Sequence, residues 1–410
     1  MVEKLDFYQN YQIQKINNLP EYIYPSLFLK IKECPRQWSY ENANLDNIDK
    51  KNFIRINNLA FIKGTIIHNI IDVYIKKFKK FKCTNYRHEN FKNVEKETGG
   101  LEKLLEDQIK EYVKKIISNP RCVFDKEELF DQLKVDKQFM RERIKKQIKN
   151  WHFDFFTNNN NENQTNINKL YKLPNGVFSE EWVTSEQIKW KGKIDFLKKK
   201  DQEIEIIDYK TGAQKDRDKE QILLYALIWY LDNIKNPNSI PANKLTLIYG
   251  TVPENVEAKK NDELELFKKD IIQNTKKYRK IFEINPIKAI PTLENCKWCN
   301  VKQLCDSYWK YCDENPIDLD NNQSIDVYLN NIKKIDTGSW QGQVEHSNYF
   351  KVNSLIDINT NDNAGIQKKI LDISRKVIIF NAKVFVYEDE SDSKTNSISC
   401  SKYSEIFKIN

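Results

Sequence analysis

Two carboxylates and a lysine stand at the ends of two short apolar runs, Gly192-Lys193-Ile194-Asp195 and Ile206-Ile207-Asp208-Tyr209-Lys210-Thr211-Gly212. Ile204, Ile206 and Asp208 alternate with Glu205, Ile207 and Tyr209, which is the period of a β-strand. Side chains two apart on a strand share a face, so Asp208 and Lys210 point the same way. Residues 194–197 form a second apolar run, and the polar stretch 198–203 would let it pair back as a hairpin, bringing Asp195 beside Asp208. Converging carboxylates repel unless a cation lies between them, and a hard divalent ion bound through oxygen is the usual answer. A neighbouring lysine can then orient an attacking water or stabilise developing negative charge. An ordinary hairpin with charged surface residues would carry the same residue types, so this segment alone leaves both readings open.

Residues 219–231 predict a helix, with Leu223, Leu224, Leu227, Ile228 and Leu231 at helical spacing. Gln221 and Tyr225, four apart, share one of its faces. The order Gly-x-x-Asp, Asp-x-Lys-Thr-Gly, Gln-x-x-x-Tyr resembles the PD-(D/E)XK nuclease superfamily, in its RecB-like exonuclease branch. The resemblance implies that Asp195 and Asp208 bind Mg²⁺ or Mn²⁺, aided by the backbone carbonyl of Tyr209. It implies that Lys210 serves catalysis and that Gln221 and Tyr225 line the DNA path. The same branch carries an upstream Gly-x-x-x-His, matched here by Gly64-Thr65-Ile66-Ile67-His68, so His68 is the expected further metal ligand. By itself, a histidine among isoleucines is more often a satisfied core residue. The branch also often has a glutamate before Gly-x-x-Asp, and both Glu181 and Glu186 are candidates.

The chain has eight cysteines. Cys296-Lys297-Trp298-Cys299 followed by Cys305 is a compact group of three thiols, a spacing suited to a metal or iron–sulfur site. A zinc ion could recruit Cys312 as its fourth ligand. The family resemblance implies a different fourth partner. RecB-like nucleases with a cluster, among them the AddB nuclease subunits and the CRISPR-associated RecB-like exonucleases, take one cysteine from before the nuclease core. Cys34-Pro35-Arg36-Gln37-Trp38 fits that position. The resemblance therefore assigns Cys34, Cys296, Cys299 and Cys305 to a [4Fe–4S] cluster that staples the two ends of the core together. Cys83, Cys122, Cys312 and Cys400 are expected to be free thiols.

The elements that must position these residues follow from the patterning. The expected fold is α/β, with a restriction-endonuclease-like core of mixed sheet flanked by helices, an N-terminal helical region and a small β-rich C-terminal appendage. Short helices are predicted at residues 24–32 and long ones at 59–81, 101–117, 126–156 and 264–281, with strands in 177–197, at 203–208 and at 245–252. Residues 158–168 form an asparagine-rich loop. The expected units are an N-terminal segment (1–58), a helical region carrying His68 (59–157), the nuclease core with the cysteines (158–315) and the appendage (316–410). The appendage shows β-type alternation at 352–358 and 377–387. It reads as a nucleic-acid-binding barrel or as strands docked on the core for stability.

With 410 residues, 40% hydrophobic, the chain can bury a large core. Residues 1–10 are charged and polar, and no apolar run is long enough to span a bilayer, so a cytoplasmic protein with no membrane partner is expected. The net charge of +8 suits a polyanion. No Gly-x-x-x-x-Gly-Lys-Ser/Thr occurs, so any helicase motor would be a separate subunit. The expectation is a Mg- or Mn-dependent DNA exonuclease acting on single-stranded ends. It would serve repair, recombination or CRISPR-type processing, with helicase or CRISPR adaptation subunits as partners. Its alternative is a catalytically silent nucleic-acid-binding scaffold, against which the full Asp-Asp-Lys set argues.

Overall fold

The computed structural model of the chain describes all residues except 1–12, 16, 46–53, 57, 150, 152–171, 211–213, 250–251, 318–323, 361–364, 389–393 and 410. The asparagine-rich stretch and the Thr211-Gly212 end of the motif lie outside the described residues. Strands β1 (Ile13–Lys15) and β2 (Asn44–Leu45) pair with each other, and helices α1 (Pro25–Glu33) and α2 (Pro35–Glu41) lie between them in the chain. A helical region follows: α3 (Leu59–Lys80), α4 (Phe91–Thr98), α5 (Leu101–Ile117), α6 (Lys126–Val135) and α7 (Lys137–Lys149). The expected single helix over 126–156 is therefore two helices as far as residue 149. They part at Asp136, whose carboxylate pairs with Lys63 of α3 at 2.9 Å.

The central sheet has the order β3 (Gly176–Ser185), β4 (Trp190–Lys200), β5 (Glu203–Lys210), β6 (Lys244–Tyr249), β7 (Val252–Val256). Pairing is antiparallel except between β5 and β6, which run parallel and are joined by helix α8 (Asp216–Tyr230). The run expected as one strand at 245–252 ends at Tyr249 and turns back as β7. Alternation along β5 separates a core on each face of the central sheet. Ile204 and Ile206 pack with α1, α8 and α9 (Asn261–Ile281), while Tyr209 packs with the helical region on the other face. A sheet buried on both faces fixes which side every strand residue meets, because a slip of one residue would exchange the two cores.

Two short helices, α10 (Leu293–Lys297) and α11 (Asp306–Glu314), lead into a second sheet. It contains β8 (Ile325–Asp336), β9 (Ser339–Ser347), β10 (Leu355–Thr360), β11 (Lys376–Glu388), β12 (Lys394–Cys400) and β13 (Glu405–Ile409), with helix α12 (Gly365–Ile373) between β10 and β11. Pairings β8–β9, β9–β10, β10–β12, β12–β11 and β11–β8 close a five-stranded barrel, and β13 adds to β11. Helix α11, expected as part of the nuclease core, lends Tyr308, Trp309 and Cys312 to the barrel's interior. The barrel is also held to the helical region by charge. Arg121 donates to both carboxylate oxygens of buried Glu405, at 2.8 and 3.0 Å, and Arg55 Nε lies 3.2 Å from the same group. Burial alone would raise the Glu405 pKa, but Arg121 and Arg55 hold it below the usual carboxylate value.

Removing one partner of such a buried group leaves uncompensated charge. Glu405→Ala should therefore cost about 3–5 kcal/mol, read as a lower urea midpoint, with Glu405→Gln costing less because its amide oxygen still accepts one of the two Arg121 hydrogen bonds. An unchanged midpoint in Glu405→Ala would show that the barrel does not depend on this contact.

Candidate active site

The β4–β5 ladder runs from Lys200↔Glu203 to Phe196↔Ile207 and ends there. In that register the next pair is Asp195 opposite Asp208, at the point where the strands part. Upstream of the fork, β4 bonds instead to the N-terminal segment: Ile23 N–H donates to the Lys189 carbonyl at 3.0 Å, and Lys191 N–H donates to the Ile23 carbonyl at 2.9 Å. Asp195 Oδ2 accepts the Tyr209 backbone N–H at 3.0 Å, which ties its carboxylate across the opening. On the other side of β4, Ser179 faces Phe196 and Glu181 faces Ile194, so Glu180 stands opposite Asp195. Three acids, Glu180, Asp195 and Asp208, thus occupy one row across β3, β4 and β5.

Glu180 is the acid that the sequence reading missed. Glu181 pairs with Lys235, and Glu186 pairs at the surface with Lys189, at 2.9 Å, and with Tyr22. Neither joins the row. Glu180 pairs with Lys193 and lies near enough to act electrostatically on Asp195, His68 and Tyr225. Its φ of 53°, unusual for a side chain of this kind, marks a local departure from the pleat. The signal that could have found it is the β3–β4 turn at residues 186–189, since fixing the turn fixes the register.

Lys210 Nζ lies 2.5 Å from Asp208 Oδ2, 2.9 Å from Gln221 Oε1 and 3.8 Å from Asp218 Oδ1. Gln221 Nε2 donates to the Tyr225 hydroxyl at 3.3 Å, so the polar residues of α8 hold the lysine from one side. Tyr225 lies flat against β4 because position 192 has no side chain. A Cβ there would come within 2.9 Å of the ring carbons Cδ1 and Cε1. From the helical region, Arg143 of α7 donates to the Lys210 carbonyl at 3.0 Å. His68 stands edge-on to the Tyr209 ring, with centroids 6.2 Å apart. Burial lowers its pKa, so the imidazole is neutral, as a metal ligand must be.

The acids are strained electrostatically. Burial first, and then the neighbouring Asp195 charge, push Asp208 up to about 7, although Lys210 opposes this. Burial also raises Asp195, against the pull of the Tyr209 N–H. Asp208 Oδ2 is buried and receives no hydrogen bond of sound geometry despite its closeness to the ammonium. Buried, charge-crowded oxygens of this kind fit a hard divalent cation. As the side chains stand, no three His, Cys, Asp or Glu among the described residues are gathered around one ion-sized point. Lys210 occupies the flank of Asp208 where compensating charge is needed.

A second cluster lies where α1 and α2 meet the α10–α11 segment. Cys34, Cys296, Cys299 and Cys305 line one cavity with about 350 Å³ of space free of atoms, its open part included. All eight cysteines are free thiols. Burial raises Cys296 to about 11 and also raises Cys299 and Cys305, the last against the nearby Arg36 guanidinium. Buried Arg36 ties the two chain segments together: its Nε donates to the Ile287 carbonyl at 2.7 Å, and it pairs with Asp306. Cys312, the alternative fourth ligand, does not line the cavity and sits in the barrel's core.

The model of the PD-(D/E)XK nuclease superfamily matches residues 25–306, more than half of the chain. The chain belongs to this superfamily. Its match opens at the first residue of α1 and closes just past Cys305, so both cysteine-bearing segments fall inside it. The five-stranded sheet with α8 is the restriction-endonuclease-like core, and the three-acid fork with Lys210 lies within it. Superfamily membership points to metal-dependent nuclease chemistry on DNA. No curated protein matches the chain significantly. Among the described residues no helix is long and apolar enough to cross a membrane.

The raised Asp208 pKa predicts a pH effect on stability without metal. The folded carboxyl, near 7, lies above its ordinary value of 3.8, so the folded state holds a proton that the unfolded state has lost. Its contribution is complete at low pH and is lost as pH climbs from about 4 through 7. In EDTA, the thermal midpoint should fall over that window, and Asp208→Asn should flatten the fall. A variant curve parallel to wild type would show that Asp208 titrates normally.

Proposed function

We propose that this chain is a RecB-like, metal-dependent DNA exonuclease that acts on single-stranded ends and carries a structural [4Fe–4S] cluster. The observation that carries the nuclease reading is the fork itself: a buried and a half-buried carboxylate opposite each other, with Lys210 held against the buried one. Asp195, Asp208 and His68 would hold Mg²⁺ or Mn²⁺, which supplies charge neutralisation at the scissile phosphate and a more acidic water. The rest is done by the chain's own groups. Gln221 and Asp208 orient the Lys210 ammonium, so that it meets negative charge developing on the phosphate oxygens. Arg143, fixed to the Lys210 carbonyl, keeps a second cation beside the fork. Tyr225 and Gln221 present a polar face of α8 along which DNA would lie.

The cluster reading is supported by the convergence of Cys34 on the three cysteines that lie more than 250 residues later. Four thiols around one cavity suit a [4Fe–4S] group, and its role is to clamp α1 and α2 to the end of the nuclease core. Reduced thiols and a DNA substrate suit a cytoplasmic setting. The pathway would be DNA repair, recombination or CRISPR-type processing, with any helicase or adaptation subunit supplied in trans.

Two experiments test these readings. With Mn²⁺ the protein should degrade single-stranded DNA and stop on EDTA addition, and Lys210→Ala should lose most activity while remaining folded. Full cleavage by Lys210→Ala would overturn the assignment. Anaerobically purified protein should be brown. Cys34→Ser should lose iron and stability as badly as Cys299→Ser, while Cys312→Ser keeps its iron. Iron retained in Cys34→Ser and lost in Cys312→Ser would point to a local four-cysteine site instead.

A further inference from the structure

The barrel's connectivity adds information that the nuclease core does not hold. Five strands close as β8–β9–β10–β12–β11, the β10–β12 pair is parallel, and a helix lies between the third and fourth strands. This connectivity is shared with OB-fold barrels, many of which bind single-stranded nucleic acid across the face of the second and third strands. Here that face is unsuited to the task. Gln341 donates to Asp357 at 3.1 Å and Ser339 to Asn359 at 2.8 Å, which leaves a self-paired polar surface with an acid at its centre.

The features expected of a single-strand site lie instead beside the barrel. The helical region, the α10–α11 segment and the β12–β13 turn meet around a cleft of about 1130 Å³, counted to its open mouth. Three aromatic rings from three distant parts of the chain line it in exposed positions: Phe61 at 52%, Trp298 at 65% and Tyr403 at 45%. One exposed aromatic needs no explanation, but three around one cleft do. Its lining cations are Arg55, Arg121, Lys297 and Lys302, against the single carboxylate of Glu405. Asp326 neutralises Lys302 from behind, so two positive charges remain. Lys297 Nζ stands 5.5 Å from the centre of the Trp298 ring, so a cation and a stacking surface share one place. Phe61 also lies on the same face of α3 as Thr65 and His68, four and seven residues on. At about 1.5 Å per residue, the cleft edge and the candidate metal ligand are separated by roughly 10 Å along the helix.

We infer that this cleft seats a single DNA strand before it reaches the fork. Unstacked bases lie on Trp298, Tyr403 and Phe61, and phosphates lie against Lys297. A duplex, whose bases are already stacked, cannot use the rings in this way. The inference rests on the nuclease reading for the direction of travel, but binding in the cleft can be measured without cleavage.

The test is fluorescence anisotropy of a labelled oligo-dT on the full-length protein in EDTA. Trp298→Ala/Tyr403→Ala should weaken binding at least tenfold, given typical stacking contributions per base, and Lys297→Ala should reduce the salt dependence by about one phosphate contact. Trp298→Phe/Tyr403→Phe keeps two rings and should restore most of the affinity, which a folding defect would not allow. Undiminished binding by the double alanine variant, or equal loss in the double phenylalanine variant, would overturn the stacking cleft. So would tighter binding of duplex than of single strand. Active Lys210→Ala would instead overturn the catalytic assignment and leave the cleft standing or falling on its own data.

Discussion

Two carboxylates that should repel are held opposite each other at the point where β4 and β5 part. Their placement in a sheet buried on both faces removes the solvent that would otherwise screen them, which is why Asp208 is pushed up to about 7. Much of the surrounding structure answers that conflict. The Tyr209 N–H satisfies Asp195, Lys210 leans on Asp208, and Gln221 fixes Lys210. Crowded carboxylates of this kind are the arrangement a hard divalent cation would relieve. A core built for stability alone would have apolar residues at positions 195 and 208.

The fork depends on what lies at the ends of the nuclease core. The N-terminal segment occupies the edge of β4 that β5 has left, through Ile23. That segment is anchored by α1 and α2, which Arg36 and the four-cysteine cavity join to residues 287–306. Disturbing the cysteine cavity is therefore expected to reach the Asp195–Asp208 fork through the sheet edge. The barrel in turn rests on α11 and on the Arg121–Glu405–Arg55 cluster, so three regions of the chain share one set of buried charges.

Local pattern was sufficient for several features. The two-residue period of residues 204–209 and the polar break after Leu197 define a hairpin, and the hairpin aligns Asp195 with Asp208. Helical spacing places Gln221 and Tyr225 on one face of α8, and the long apolar stripe of α3 carries His68. These are short-range consequences of strand and helix geometry, readable wherever a period is clean. The cysteine spacing 296–299–305 likewise belongs to one local segment.

Other features needed the folded chain, because they depend on register and on contacts between distant segments. Glu180 joined the row only once the β3–β4 turn was placed, and the flanking glutamates 181 and 186 turned to Lys235 and Lys189. Arg143 and Asp218 reach Lys210 from helices whose packing no local pattern specifies. The break at Asp136, the return of the chain as β7, the closure of the barrel and its capture of α11 have the same origin. The sequence by itself determined which residues could do chemistry and which short elements carry them. The tertiary structure decided which of them meet, because pairing register and buried charge compensation are properties of the whole packed chain.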